Sequence, residues 1–312
     1  MPESNPPPSN QQNTYTLLFM VVLSFVCAII LSTLASVLKV PQEMAKELDR
    51  SKQMLIATRI LSPYGYFQIQ DKQETFVPAK FTSGGILEPA NEQLFPSQDQ
   101  ILEIYRVRIQ DFLINDQGEP TTFQKAKIDQ NKYIQDFRKT GYYKEPFKLI
   151  YKIFANPVSG GKEDEKERQV IGYVIPVNGM GLWDAIYGYL AIKPDGDDVI
   201  GISWYDQKET PGLGANISEP EWQSQFPGKH LFQESANGQT DFNTAPLGIT
   251  VVKGKVNEVL ANSPKALSAV DGMAGATLTG NGVTNAYRDV LAAYRPFLLR
   301  IHKESDQPVK TK

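Results

Sequence analysis

Apolar and polar positions fall into distinct regimes along the chain. From Ser4 to Leu38 no residue is charged, and Tyr15–Leu38 is an apolar run long enough to cross a hydrocarbon core of about 30 Å as a helix. The pattern predicts a disordered, proline-rich leader over 1–14 and a retained transmembrane helix over 15–38. A cleaved signal peptide fits less well, because the leader MPESNPPPSNQQN has no basic residue, the apolar run is too long and no A-x-A site follows it. Next, Pro41 in a helix-start position and the apolar set Met44, Leu48, Leu55 and Ile56 predict a helical stalk over 39–62. Region 63–170 forms the first part of the soluble domain and reads mostly as strand. ILEIYRVRIQDFLI precedes a turn at Asp116-Gln117-Gly118, and FKLIYKIF and VIGYVIPV flank the charged run Lys162–Arg168, a solvated hairpin loop.

Region 171–302 carries the distinctive residues, and a tail follows over 303–312. IYGYLAI and VIGISWY around Pro194-Asp195-Gly196-Asp197 predict a second hairpin. Pro211-Gly212 suits a type II turn, with glycine where φ must be positive. Ser218 and Glu221 are spaced as a capping box for a short helix ending before Pro227-Gly228. After the strand LGITVVKG, Asp271–Thr279 (DGMAGATLT) is a glycine-rich turn. It feeds a helix with Val283, Tyr287, Val290, Leu291 and Tyr294 on one face, predicted to begin near Asn281 with Thr279 or Asn281 as cap. The predicted class is therefore α+β: one amino-terminal transmembrane helix, then a mixed, mainly antiparallel sheet with packed helices.

Charge and composition narrow the chemistry. With 32 Lys and Arg against 35 Asp and Glu in 312 residues, the formal charge of −3 offers no footprint for a polyanion, so no nucleic-acid partner is expected. One cysteine, Cys27, inside the apolar helix, and two histidines, His230 and His302, exclude iron-sulfur clusters, CxxCH haem attachment, cysteine-rich zinc sites and HExxH chemistry within the chain. No metal site is expected. The turn before the last helix suits an anion, since free amides and the positive end of the helix dipole converge there. It is not a nucleotide loop: no GxG triplet continues into GxGxxG, and Gly161-Lys162, Gly228-Lys229 and Gly254-Lys255 lack the Walker glycine.

The ordered motifs GLWDAIYGYLAI, ETPGLG and DGMAGATLTGNGV, with RPFL near the end, resemble the C subunit (NqrC) of the sodium-translocating NADH:quinone oxidoreductase from about Val174 to the carboxy terminus. In that family an FMN is esterified through its phosphate to a threonine within D-x-x-[ST]-G-A-T. The resemblance implies Thr277 as the attachment point, with Asp271, Gly275, Ala276, Leu278 and Thr279 around it; Ala274 departs from the family's Ser or Thr. Leu182, Trp183, Thr210, Gly212, Leu213 and Gly214 are candidates to wall the isoalloxazine, because a flavin needs an apolar slot with close backbone approach. Trp183 reads equally as core, and Glu209 either orients the loop or approaches the flavin.

The resemblance further implies an electron-transfer subunit of a bacterial inner-membrane complex that oxidises NADH, reduces quinone and pumps Na+, with other subunits of that complex as partners. It also implies an exported flavin transferase that attaches the FMN from FAD. The chain alone should neither oxidise NADH nor reduce quinone, since it has no dinucleotide fingerprint. Lys39, Lys46, Arg50, Lys52 and Arg59 after the helix would by count place the domain in the cytoplasm, whereas the resemblance places it outside, and that placement is adopted. Two alternatives stand at this level: the homologous G subunit of an Rnf-type ferredoxin:NAD complex, and a flavin-free anchored scaffold, to which Ala274 points.

Overall fold

The computed structural model describes residues 9–71, 75–157, 168–235, 237–238 and 240–305. The first eight residues of the leader, most of the charged run Lys162–Arg168 and the end of the tail lie outside the described residues. The chain divides into two compact units, Met1–Arg50 and Ser51–Lys312.

Helix α1, Ser9–Ala57, contains the apolar segment: Thr14–Lys39, with a mean hydropathy of 2.8, is long and apolar enough to cross a membrane. Pro41 lies inside this helix and does not start a new one, a correction to the predicted stalk. A proline removes one intrahelical hydrogen bond and strains one turn, but the flanking residues continue the helix on both sides. Within the second unit the last turns of α1 are core: Met54, Leu55 and Ala57 are fully buried, and the Ser203 hydroxyl donates to Gln53 Oε1 at 2.6 Å.

Strands β1 (Gln68–Gln70), β2 (Phe76–Thr82) and β3 (Ile86–Pro89) form a small antiparallel meander. Helix α2, Gln98–Arg108, occupies half of the segment predicted as a strand. Its β-branched composition suggests strand, but Ile101, Ile104 and Arg108 recur at helical spacing and are all buried. Ser97 and Gln100 close a reciprocal capping box that supplies two otherwise orphaned amides with acceptors. The strand starts only afterwards, as β4 (Ile109–Ile114), and β5 (Pro120–Thr121) follows the turn at Gly118. After α3 (Phe123–Ala126) and α4 (Gln130–Phe137) come β6 (Lys148–Phe154), β7 (Val170–Met180), β8 (Ala185–Ile192) and β9 (Val199–Asp206). These complete an antiparallel sheet of order β5-β4-β6-β7-β8-β9, with both predicted hairpins in place.

The predicted capping box at Ser218 is absent. Helix α5, Pro220–Gln223, has Glu219 as its cap residue without a side-chain bond, because a 3₁₀ turn over Gly214–Ser218 runs into it and buries the Ser218 hydroxyl unpaired. Strand β10 (Thr250–Val251), helix α6 (Val256–Val259) and strand β11 (Ala269–Val270) lead to α7, Thr277–Ser305. β10 and β11 pair in parallel.

Helix α7 covers the main sheet. Val283, Tyr287, Val290, Leu291 and Tyr294 are all buried in the same core as Val177, Ile186, Leu190 and Trp204. Each such side chain contributes about 1.5–3 kcal/mol by leaving water. Tyr287 packs edge-on to Trp204 at 5.5 Å, and the Tyr294 hydroxyl donates to the Leu149 carbonyl at 2.6 Å, so the polar tip of Tyr294 is paired as well as buried. The helix lies close against β7: a Cβ on Gly282 would stand 2.2 Å from the Met180 carbonyl oxygen. That contact fixes the first turns of α7 against the end of β7, where the site is built.

Candidate functional site

The site is organised around a buried carboxylate. Glu209 is 5% exposed; its Oε1 accepts from the Trp183 amide at 3.0 Å and its Oε2 accepts from the Thr279 hydroxyl. Burial pushes the Glu209 carboxyl up, but the bonds it accepts from Thr279 and from the amides of Trp183, Leu182 and Asp184 outweigh burial and hold it below the usual carboxylate range. Close approach demands glycine beside it: a Cβ on Gly214 would lie 2.4 Å from Thr279 Oγ1 and 2.7 Å from Glu209 Oε2. Glu209 therefore orients loops and is spent in doing so.

The turn that follows it behaves as the residues predict. Leu213 N–H donates to the Thr210 carbonyl at 3.1 Å, and Gly212 takes φ +75° at the turn's third position. The Trp183 indole N–H donates to the Thr210 hydroxyl at 3.1 Å, tying this turn to the start of β8.

Thr279 is not a cap. The first helical bond of α7 runs from Gly280 N–H to the Ala276 carbonyl at 3.0 Å, so the helix begins at Thr277, four residues earlier than predicted. Gly280 and Gly282 depress helix propensity and make the start look later, but packing of α7 on β7 overrides propensity here. Thr279 sits in the first turn, 1% exposed, with its hydroxyl committed to Glu209. Thr277 is exposed at the first helical position, and Leu278 beside it is 60% exposed.

The loop ahead of α7 is held by polar contacts. Asp271 N–H donates to Gln225 Oε1 at 2.9 Å, the Asp271 carbonyl accepts from the Trp222 indole at 2.9 Å, and its carboxylate accepts from Val256 N–H at 2.8 Å. Gly272 N–H donates to the Gly254 carbonyl at 2.8 Å, which extends the parallel β10–β11 pairing into the loops beyond. Two segments thereby meet: Val252–Lys255 and Asp271–Thr277 line one cavity of about 360 Å³. Gly275, Ala276 and the exposed Ala274 also line it, and Gly275 has φ +73° with Leu213 packed against it. Lys253 and Lys255, exposed at this cavity, are absent from the expected site. The Gly254-Lys255 pair is visible in the sequence, but only the parallel pairing of two distant short strands reveals its place beside Thr277.

A flavin mononucleotide fits these residues. Lys253 and Lys255 line the same cavity as Thr277, and together with the first amides of α7, which no preceding turn can satisfy, they favour a phosphate. Around the same helix start Met180, Leu182, Trp183, Leu213 and Leu278 are all exposed, Trp183 to 68%, so Trp183 is not core. An exposed group of large apolar side chains is the surface a planar ring system covers. Ala274, the departure from the family pattern, lines the cavity and leaves the Thr277 hydroxyl untouched.

Known proteins give the same picture. An FMN-binding domain family matches residues 181–292. The C subunit of the Na(+)-translocating NADH-quinone reductase of Chlamydia pneumoniae is 42% identical over 295 residues, 92% of each chain. The protein of that name from Pasteurella multocida is 30% identical over 289 residues, 92% of this chain and 93% of its own. A solved C subunit of this reductase from Parabacteroides distasonis, 23% identical, shares the fold with a TM-score of 0.50, covering 84% of this chain and 96% of that one. The similarity thus extends well ahead of Val174 into the region between Pro63 and Pro157. The chain belongs to the NqrC family, the C subunits of the Na(+)-translocating NADH-quinone reductase.

Proposed function

We propose that this chain is a covalent-FMN electron carrier within a Na+-translocating NADH:quinone reductase, with the flavin esterified through its phosphate to Thr277. The observation that carries this reading is the division of labour between two threonines: Thr279 is buried and bonded to Glu209, while Thr277 is exposed at the helix start beside two lysines. The Thr277 oxygen would displace AMP from the pyrophosphate of FAD, forming one O–P bond as another breaks and releasing the hydroxyl proton. In this reading a transferase with a divalent metal supplies that step.

Lys253, Lys255 and the first turn of α7 hold the phosphate; Leu182, Trp183, Leu213, Leu278 and the Thr210–Gly214 turn wall the ring, positioned by Glu209. FMN supplies reversible one- and two-electron redox chemistry. NADH oxidation, quinone reduction and ion movement fall to partner subunits, since the apolar segment Tyr15–Leu38 has no Asp, Glu, Lys, Arg or His to relay a cation. In this reading residues 15–38 anchor the chain in the inner membrane as a single pass, 63–170 elaborate the soluble domain, 171–302 carry the flavin, and the domain faces outward.

The test is mass spectrometry of the peptide spanning Gly272–Arg288 from native membranes. The expected result is an FMN-sized phosphoryl adduct on Thr277, lost in Thr277→Ala with the fold retained. An unmodified peptide in an active assembled complex would refute the proposal. Protease added to sealed spheroplasts should cut the soluble domain; full protection with an intact control would reverse the orientation.

A further inference from the structure

A second cavity, of about 530 Å³, lies away from Thr277 where β1 and β2 meet the backs of β6, β7 and β9. Its apolar walls include Ile69, Phe76, Ile153 and Ile171, and its polar lining includes Arg108 and Arg59. Arg108 is 4% exposed; its Nε donates to the Phe154 carbonyl at 2.6 Å, but the buried Nη1 has no acceptor among the described residues. Arg168, whose guanidinium lies 4.8 Å over the Phe154 ring, likewise buries an Nη2 that has no acceptor among the described residues.

Among the described residues neither these two arginines nor Arg59 makes an ion pair, whereas Lys193 at the same cavity is matched by Asp198 at 2.7 Å. Burial and the neighbouring Arg168 push the Arg108 guanidinium down to about 10, the mark of a charge without compensation. Buried charges are ordinarily paired, so an unmatched guanidinium facing a cavity of ligand size indicates a missing anion. Arg59 adds to this. It ends α1 in the left-handed region at φ 57°, a position glycine favours, and lays its guanidinium 3.9 Å over Phe76.

We infer that this cavity is a binding site for a small organic anion, whose carboxylate or phosphate pairs with Arg108 and whose apolar body lies against Ile69, Phe76, Ile153 and Ile171. Arg59 stands at the same cavity to take a second oxygen. An apolar lining with one buried cation selects an acid with a hydrophobic body over inorganic phosphate, and over a neutral compound of the same shape.

The test is calorimetric titration of the full-length, flavin-loaded protein in detergent with benzoate, phenylphosphate, benzyl alcohol and inorganic phosphate. One of the two aromatic acids should bind saturably, one per chain, at least tenfold tighter than the alcohol and inorganic phosphate. Tighter benzoate assigns a carboxylate and tighter phenylphosphate a phosphate ester. Arg108→Met should lose at least tenfold in affinity, because it removes the cation with which the acid pairs. If that variant fails to fold, Ile171→Trp, which fills the cavity and keeps the arginine, should give the same loss. Absence of saturable binding, equal binding of benzyl alcohol, or unchanged affinity in the folded variants would overturn the inference. So would loss of binding in Thr277→Ala, which would move the ligand to the flavin site.

Discussion

Replacing Thr279 by valine keeps the shape of the side chain and removes one hydroxyl. In the fold Thr279 is 1% exposed and its hydroxyl donates to Glu209, itself 5% exposed. A hydrogen bond to a charged acceptor is worth about 1.5–3 kcal/mol, and Glu209 keeps its other donors, so a loss of about 2 kcal/mol is expected. For a domain of this size that corresponds to a fall in Tm of roughly 4–8 °C.

The loss should also depend on pH. The folded Glu209 titrates below its unfolded value, so the carboxylate contributes stability above about pH 4.3 that disappears as pH falls through the folded value. Thr279→Val removes one of the bonds that lower it, so the Tm gap between wild type and variant should narrow on acidification. Differential scanning calorimetry at pH 7 and near pH 3.5, on protein with matched flavin loading, reads both effects. Covalent flavin should persist in Thr279→Val, because the proposed attachment point is the Thr277 hydroxyl. An unchanged Tm at neutral pH, or a gap independent of pH, would refute the assignment of Glu209 as a hydrogen-bonded anchor.

Other perturbations discriminate further. Gly214→Ala should destabilise by about 1–3 kcal/mol through the clash with Thr279 and Glu209, more than Gly212→Ala, where the added Cβ meets nothing and only the positive φ is strained; urea melts rank the two. Lys253→Gln with Lys255→Gln should slow flavin attachment without changing stability by more than about 1 kcal/mol, since both side chains are exposed, as followed by in-gel fluorescence over time. Trp183→Ala should leave covalent loading intact while shifting the visible absorption of the bound flavin, and an unaltered spectrum would remove Trp183 from the ring's surroundings.

Much of this architecture is legible in the sequence. The apolar helix and the hairpins β6–β7 and β8–β9 follow from length and alternation, and the buried face of α7 follows from its helical spacing. What is not legible depends on distant partners. Helix α2 carries a capping-box signal in Ser97-Gln98-Asp99-Gln100, yet its β-branched residues favour strand until their burial on one helical face is seen. The role of Glu209 is hidden because its hydroxyl partner is 70 residues away, and the lysines at the cavity depend on a two-residue parallel pairing that no local pattern announces. Motifs mark where the chemistry is; the contacts that hold them together are long-range.

Those contacts also explain why three separated motifs occur together. Glu209 belongs to the second motif, takes an amide from Trp183 in the first and a hydroxyl from Thr279 in the third, so the motifs form one hydrogen-bonded unit at the meeting of β7, β8 and α7. Helix geometry then separates the two threonines. Residues two apart on an α-helix point about 200° from one another, so once Thr279 turns inward to Glu209, Thr277 must turn outward. The bond that buries one hydroxyl is thus the reason the other is presented to solvent at the helix start, beside Lys253 and Lys255, where a phosphate is best stabilised. Breaking the anchor without unfolding the helix should therefore degrade the orientation of a flavin on Thr277 while sparing its attachment.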